Sequence, residues 1–261
     1  MASSYSLYDM TGFPVVQVGT EYRIPYQLPL FQDIDRAPET SLHLKRIINT
    51  RDSWEVFRVH YEYIDKRIGR AKGITFSAFV AMVDFPAYYS RQRRLFLVKA
   101  SKPMARGAMR QLIKGSAGVK GACREISLDS IKHLIDSYKG VYFSVDDSTD
   151  VSTVALFGPS VNQDIRFTRA SIEGAMNYAR FDYEFDNEYF HVGISSDSNV
   201  VLYDNNLDEV LELDLVLDIK QKLLEQARTK DSGAIGSNRP NQDASRSLGL
   251  DFDSLDAPAT T

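Results

Sequence analysis

The alternation of apolar and polar residues predicts strands in the first half of the chain. Every second residue from Phe57 to Tyr63 is apolar or aromatic, which is the period of a half-buried strand. Residues 95–98 form a short apolar run typical of a buried strand. Residues 74–83 fit both periods, and we interpret them as a strand. Residues 42–48 carry apolar side chains at spacings that predict one or two helical turns.

A helix is predicted to follow the strand at 95–98. Ser101 is a suitable N-cap, and Pro103 is tolerated because the first turn of a helix has N–H groups without intrahelical partners. The spacing of Met104, Ala108 and Leu112 predicts the buried stripe of this helix.

The second half of the chain reads as helices separated by groups of short strands. Ser127 is a candidate N-cap, and Gly140 lies where such a helix commonly ends. After this helix, the pattern predicts strands at 141–145, 151–157 and 165–168, a helix at 170–179, strands at 181–185, 189–194 and 200–203, and a helix at 207–228.

These elements favour an α+β fold with short, mostly antiparallel strands and helices packed on one face of the sheet. Two lobes are possible: a basic N-terminal lobe at 1–124 and an acidic C-terminal α+β lobe at 125–228. Residues 229–261 are predicted to be a disordered tail, because they contain too few large apolar residues to offset the entropy of ordering.

Charge is distributed unevenly along the chain. The net charge is −4, but residues 1–124 carry 20 Lys and Arg against 10 Asp and Glu, and residues 125–261 carry 11 against 25. Such a separation is expected if one surface binds a polyanion. It is equally expected if the two halves attract each other across a shared core.

The strongest candidate for chemistry is the segment 91–124, which holds ten Lys and Arg and no carboxylate. A row of cations can follow a phosphate backbone without any precise order. The sequence therefore predicts a non-enzymatic protein that binds nucleic acid through phosphate contacts. The predicted contact residues are Arg91, Arg93, Arg94, Lys99, Lys102, Arg106, Arg110, Lys114 and Lys120.

Two alternatives remain open at this point. Asp182, Glu184, Asp186 and Glu188 alternate with aromatic residues, so they would share one face of a strand, and such a row suits a metal-dependent nuclease or another phosphoryl-transfer enzyme. Asp146, Asp147 and Asp150 could complete that site. The second alternative is a protein-interaction module whose acidic half docks on a basic partner.

Other motifs carry less information. The glycines of residues 114–121 resemble a phosphate-binding loop, but Lys120 is followed by glycine and the segment follows a predicted helix, so a flexible linker between the two lobes is the better interpretation. The four histidines never fall at metal-ligand spacing, and Cys123 is the only cysteine. We expect no cofactor and no bound metal.

The end of the chain suggests a docking segment. Leu248, Leu250, Phe252 and Leu255 lie among aspartates, which suits a groove on a protein partner or occupation of the protein's own basic site. The sequence shows neither a signal-peptide pattern nor a membrane-spanning run, so we expect a soluble cytoplasmic protein without a membrane partner.

Overall fold

The computed structural model describes residues 2–25, 38–71, 74–145 and 152–227. These residues belong to one compact unit, Met1–Lys230. The predicted tail at 229–261 lies outside the described residues.

Strands provide most of the regular structure. In chain order the described strands are β1 (Ser3–Gly12), β2 (Glu21–Pro25), β3 (Glu39–Asn49), β4 (Ser53–Asp65), β5 (Gly69–Ala71), β6 (Ile74–Phe76), β7 (Phe79–Ser90), β8 (Leu95–Lys99), β9 (Lys120–Ala122), β10 (Tyr138–Val145), β11 (Thr153–Phe157), β12 (Gly174–Phe185), β13 (Glu188–Ser195) and β14 (Asn199–Leu202).

Three α-helices are described: α1 (Lys102–Gly115), α2 (Ile165–Glu173) and α3 (Glu209–Ile219). A π-helical segment, Lys220–Leu224, extends α3. Short 3₁₀ helices lie at Leu128–Leu134 and Val161–Gln163. The fold is therefore mixed α and β, as predicted.

One antiparallel sheet runs through the unit. Its strand order is β11-β10-β12-β13-β14-β1-β8-β7-β4-β3-β2, with β9 paired to the end of β1, and β5 and β6 form a separate hairpin. Tyr5 of β1 lies opposite Val200 on one side and Lys99 on the other, so β1 joins the two halves of the sequence in one sheet. A division into two lobes is not confirmed.

The central strands are buried on both faces. Tyr5 and Leu7 of β1 belong to a cluster that contains the apolar side chains of α3, and we call this side of the sheet the α3 face. Tyr8 and Met10 belong to a second cluster that contains the apolar side chains of α1, and we call that side the α1 face. Successive residues of a strand point to opposite faces. The prediction that the helices pack on one face is therefore not confirmed, because α1 and α3 cover opposite faces of β1.

Each half of the sheet leaves one face to solvent. Beyond α1, most outward side chains of β10 to β13 are exposed or half-buried on the α1 face, while their inward neighbours, such as Val141, Phe143 and Val192, are fully buried. On the α3 face, β3, β4 and β7 carry polar side chains beyond Trp54 and Val56. These two open faces are where ligands could reach the sheet.

Several predicted elements are confirmed. The strand over 57–63 lies within β4, with Phe57, Val59 and Tyr61 buried, and the run at 95–98 lies within β8. The predicted helix after Ser101 is α1, in which Ala108 and Leu112 are buried. The residues predicted as a strand at 74–83 lie mostly in β6 and β7.

Other predicted elements were wrong. Residues 42–48 lie in β3 and not in a helix, because Leu42 and Leu44 pack into the sheet while His43 points outward, which is a strand period. Residues 165–168 begin α2, where Asp164 accepts a hydrogen bond from the Arg166 N–H and so caps the helix. The predicted helices at 128–140 and 170–179 are cut short, since β10 and β12 begin at Tyr138 and Gly174.

Candidate functional site

The first three predicted phosphate contacts lie in the turn between β7 and β8. Arg91 forms a two-point ion pair with Glu55, and Arg93 Nε lies 3.2 Å from Oδ2 of the buried Asp52. Arg94, at φ 52°, has no ion pair within the described residues. Two of these three cations are therefore neutralised locally.

Lys99 points to the α3 face and is enclosed by a polar network. Its Nζ pairs with Glu212, which also accepts hydrogen bonds from the hydroxyls of Ser3 and Tyr5, each at 2.6 Å. Burial opposes the ionisation of Glu212, but the hydrogen bonds from Lys99, Ser3 and Tyr5 outweigh it, so the pKa of this carboxyl lies below its ordinary value. Lys99 holds the sheet to α3.

Four predicted contacts form a stripe along α1, four residues apart: Lys102, Arg106, Arg110 and Lys114. Lys102 Nζ lies 2.8 Å from Oδ2 of Asp197, and Arg106 binds the same carboxylate. Arg110 and Lys114 are exposed and have no ion pair in the part of the chain that the structure describes. The stripe is therefore half paired and half open.

Lys120, the ninth predicted contact, begins β9 and is exposed. The neighbouring Gly121 lies against β1, where an added Cβ would come 2.5 Å from Sδ of Met10. This glycine permits two backbones to approach closely. The segment 114–121 thus connects α1 to the sheet, and its role as a flexible linker between lobes stays a prediction.

The charge asymmetry of the sequence is partly used inside the fold. Basic residues of the first half bind acidic residues of the second half at several places: Lys99 with Glu212, Lys102 and Arg106 with Asp197, Arg46 with Glu209, and Arg51 with Asp186. Five of the nine predicted cations pair with the chain's own carboxylates. Contact of all nine with phosphate stays a prediction.

A row of aromatic side chains crosses the open part of the α1 face. Phe157 of β11, Tyr142 of β10, Tyr178 of β12 and Tyr203, just after β14, form what we call the aromatic row. The ring centroids of Tyr142 lie 5.5 Å from Phe157 and 5.7 Å from Tyr178, in edge-to-face geometry, and the hydroxyls of Tyr178 and Tyr203 are hydrogen-bonded. Phe157 is 61% exposed.

Two glycines allow these rings to lie across the sheet. An added Cβ at Gly140 would come 2.9 Å from Cδ1 of Phe157, and one at Gly193 would overlap the hydroxyl of Tyr178. The rings therefore occupy the space that side chains at these two positions would otherwise take. Such rings present part of their surface to solvent, which a stacking ligand requires.

Arg180 lies within this surface and has no partner of opposite charge among the described residues. In the sheet it lies between Gly140 of β10 and Gly193 of β13, and its Cζ is 4.2 Å from the ring centroid of Tyr203. Its Nε is buried without a hydrogen-bond acceptor. Because Nε is buried and the residue as a whole is half-buried, an external acceptor would meet the terminal amino groups of this guanidinium.

The acidic groups next to Arg180 are already engaged. Asp182, two residues further along β12, pairs with Lys139 at 3.1 Å and faces His191 at 3.6 Å. Asp204 pairs with His191 at 2.9 Å. The guanidinium of Arg180 thus remains available to an external acceptor.

The predicted acidic row is divided between three elements. Asp182 and Glu184 point outward from β12, opposite the buried Tyr183 and Phe185, as the alternation predicts. Asp186 is in the following turn, at φ 51°, and Glu188 begins β13. The described residues contain no group of three or more His, Cys, Asp or Glu side chains placed to hold a metal ion. Asp146, Asp147 and Asp150 lie outside the described residues.

The single cysteine is placed poorly for nucleophilic catalysis. Cys123 donates its S–H to the carbonyl of Asp197, with Sγ to O at 2.6 Å. Burial raises the pKa of this thiol to about 11, and the nearby Asp197 adds to the effect. A reactive cysteine requires the opposite shift.

The open part of the α3 face holds a polar cavity of about 420 Å³ between β2, β3, β4 and β7. Its charged groups bind one another: Arg58 and His60 both contact Asp84, at 2.5 and 3.0 Å, and Arg23 contacts Glu21 at 2.9 Å. This cavity lacks the unpaired donor and the aromatic surface that distinguish the α1 face.

Comparison with known proteins adds no assignment. No family model matches the chain, and no curated protein is significantly similar to it. Within the described residues, no helix is long and apolar enough to cross a membrane.

The aromatic row was not predicted from the sequence. Tyr142, Tyr178 and Tyr203 are more than 20 residues apart along the chain, and only sheet pairing brings them together. One signal was present: in the predicted strand 141–145, Tyr142 alternates with Val141 and Phe143, which places it on the outer face.

Proposed function

We propose that the protein binds single-stranded nucleic acid, with the aromatic row stacking on bases and Arg180 donating hydrogen bonds to a phosphate. The proposal keeps the function predicted from the sequence and adds a site that the prediction did not contain. The observation that carries it is the half-buried guanidinium of Arg180, which has no ion pair among the described residues and lies beside a partly exposed row of aromatic rings.

Arg180 supports a phosphate ligand specifically. A guanidinium presents several N–H donors in a planar fork that matches phosphate and carboxylate geometry, and its charge is retained at every physiological pH. Stacking on Tyr203 holds the fork in place before a ligand arrives. Its lack of a carboxylate partner in the described part of the chain leaves this capacity unused.

The aromatic row supports a single strand in preference to a duplex. Bases can stack on protein side chains only when they are released from their neighbours, so aromatic platforms are typical of proteins that bind single strands. Phe157, Tyr142 and Tyr178 offer three adjacent rings on three neighbouring strands. The exposed Arg110 and Lys114 of α1 lie on the same side of the sheet and would add electrostatic attraction.

The test measures binding of labelled oligonucleotides of about 16 nucleotides, a length that covers the site of one nucleic-acid-binding fold. Fluorescence anisotropy with oligo(dT), oligo(U) and a DNA duplex, at about 50 and about 200 mM salt, separates single strands from duplex and reports the phosphate contribution. We expect both single strands to bind more tightly than the duplex, with weaker binding at the higher salt concentration.

Variants test the site itself. Phe157→Ala should weaken single-strand binding by about 5- to 150-fold, the range of one base–aromatic stack, with little effect on stability because Phe157 is 61% exposed. Arg180→Gln should weaken it by about 10-fold or more. Tyr189→Ala is the matched control, since Tyr189 is an exposed aromatic at the far end of β13. Wild-type protein that binds no oligonucleotide at low salt would refute the proposal.

Three predictions stay as they were. Docking of a protein partner on Leu248, Leu250, Phe252 and Leu255 concerns residues outside the described part of the chain. The cytoplasmic location stays a prediction, and so does the alternative of a metal-dependent nuclease.

A further inference from the structure

Asp197 binds two cations at once. It lies in the turn between β13 and β14, and its carboxylate accepts hydrogen bonds from Lys102, Arg106 and Ser195, with Ser195 Oγ at 2.5 Å. Burial opposes the ionisation of this carboxyl, but the hydrogen bonds from Lys102 and Ser195 outweigh it and hold its pKa below the ordinary value. Asp197 is therefore an anion at neutral pH.

The carboxylate is fixed, whereas the ends of the two cations are accessible. The turn is held by the bonds from Ser196 N to Asn177 O at 2.9 Å and from Ser198 Oγ to Arg124 O at 2.6 Å. The side chain of Asp197 is only 10% exposed, whereas those of Lys102 and Arg106 are 42% and 50% exposed. Both cations can therefore turn away from Asp197 without moving the backbone.

The three residues adjoin the aromatic row. Tyr178 of β12 lies opposite Ser195 of β13, and residues paired in this way share a face of the sheet. Ser195 in turn donates its hydrogen bond to Asp197. A strand stacked on Tyr178 would thus bring a neighbouring phosphate close to Arg106 and Lys102.

We propose that Asp197 acts as an internal substitute for phosphate, which Lys102 and Arg106 exchange for a phosphate of the bound strand. This inference rests on the proposed function and adds a determinant of affinity to it. In the free protein Asp197 keeps the two cations from binding other anions. In the complex a phosphate of the strand replaces Asp197 as the partner of Lys102 and Arg106. The affinity of the protein for the strand is therefore lowered by the free energy needed to break the two internal ion pairs.

The decisive variant is Asp197→Asn, which keeps an acceptor for Ser195 but removes the competing charge. We expect single-strand affinity to rise by about 3- to 20-fold, the range for releasing two partly exposed ion pairs. Glu173→Gln is the matched control: it changes the net charge equally, and Glu173 pairs with the exposed Arg169 on α2, whose buried side chains Phe167 and Ala170 pack on the α3 face. The control should leave affinity nearly unchanged.

Arg106→Gln provides a second measurement that does not depend on the folding of the Asp197 variant. If Arg106 binds a phosphate in the complex, the loss of its charge in Arg106→Gln should make the plot of log affinity against log salt concentration less steep. The slope should change by about 0.7, the value for one phosphate of a single strand. An unchanged slope overturns the inference.

The outcomes separate this inference from the proposed function. If the wild type binds and Arg180→Gln loses binding, but folded Asp197→Asn binds no more tightly than the wild type, then only the role of Asp197 is refuted. If the wild type, Asp197→Asn and Arg106→Gln all fail to bind, both are refuted. A gain in Glu173→Gln equal to that in Asp197→Asn would show a general charge effect and also overturn the inference.

Discussion

Replacing Glu212 by alanine should cause a large loss of stability. The carboxylate is 4% exposed and accepts hydrogen bonds from Ser3, Tyr5 and Lys99, which joins the first strand and β8 to α3. In Glu212→Ala, the buried hydroxyl of Tyr5 and the ammonium of Lys99 lose their acceptor. The change leaves polar groups unpaired at the interface between the sheet and α3.

The magnitude follows from these partners. Removing one member of a buried ion pair costs about 3–5 kcal/mol, because the other charge remains in a poorly solvated site. The side chain of Lys99 is still 29% exposed and can reach water, so the lower end of this range applies. The higher helix propensity of alanine returns less than about 0.5 kcal/mol. We therefore expect a loss of about 3 kcal/mol in the free energy of unfolding.

Urea denaturation followed by tryptophan fluorescence measures this effect directly, because Trp54 is the only tryptophan and is fully buried. Glu173→Ala is the control, since Glu173 forms an exposed pair with Arg169 and its loss should cost less than about 1 kcal/mol. If Glu212→Ala lowers the free energy of unfolding by no more than the control does, the network is not a source of stability and the reasoning is refuted.

Three further predictions follow from particular contacts. The folded-state pKa values of Glu212 and Asp197 lie below the ordinary values of 4.5 and 3.8, so both ionised groups stabilise the fold at neutral pH. This stabilisation is lost as the groups are protonated. The midpoint of urea unfolding should therefore fall as the pH drops from about 5 towards about 3. Gly107→Ala should lower the melting temperature, because the new Cβ would overlap the hydroxyl of the buried Tyr61. This clash should outweigh the gain in helix propensity of about 1 kcal/mol. A higher melting temperature would contradict this. Gly193→Ala should displace Tyr178, whose hydroxyl the new Cβ would overlap, and so weaken oligonucleotide binding as measured by fluorescence anisotropy. An affinity equal to that of the wild type would contradict this.

Ion pairing changes how the basic segment is understood. Lys99, Lys102 and Arg106 bind carboxylates of the second half of the chain, so part of the charge asymmetry serves association of the two halves within one sheet. Arg180, outside the basic segment, also has no carboxylate partner among the described residues, and its Nε is buried without an acceptor. A count of charges along a sequence cannot distinguish these cases, because pairing depends on which residues become neighbours.

Local pattern determined much of the secondary structure. The alternation over 57–63, the apolar run at 95–98 and the stripe of Ala108 and Leu112 each gave the right element, because these signals reflect burial of one side of a strand or helix. Residues 42–48 and 165–168 were assigned to the wrong element, since short segments carry too few positions to separate the two periods.

The sequence by itself determined the mixed α and β composition and the uneven distribution of charge. Tertiary structure alone decided that β1 joins both halves in one antiparallel sheet, that α1 and α3 cover opposite faces, and that Arg180 meets Tyr203. The physical reason is that period and charge are local properties of a chain, whereas strand order and the partner of each charge follow from contacts between residues far apart in sequence.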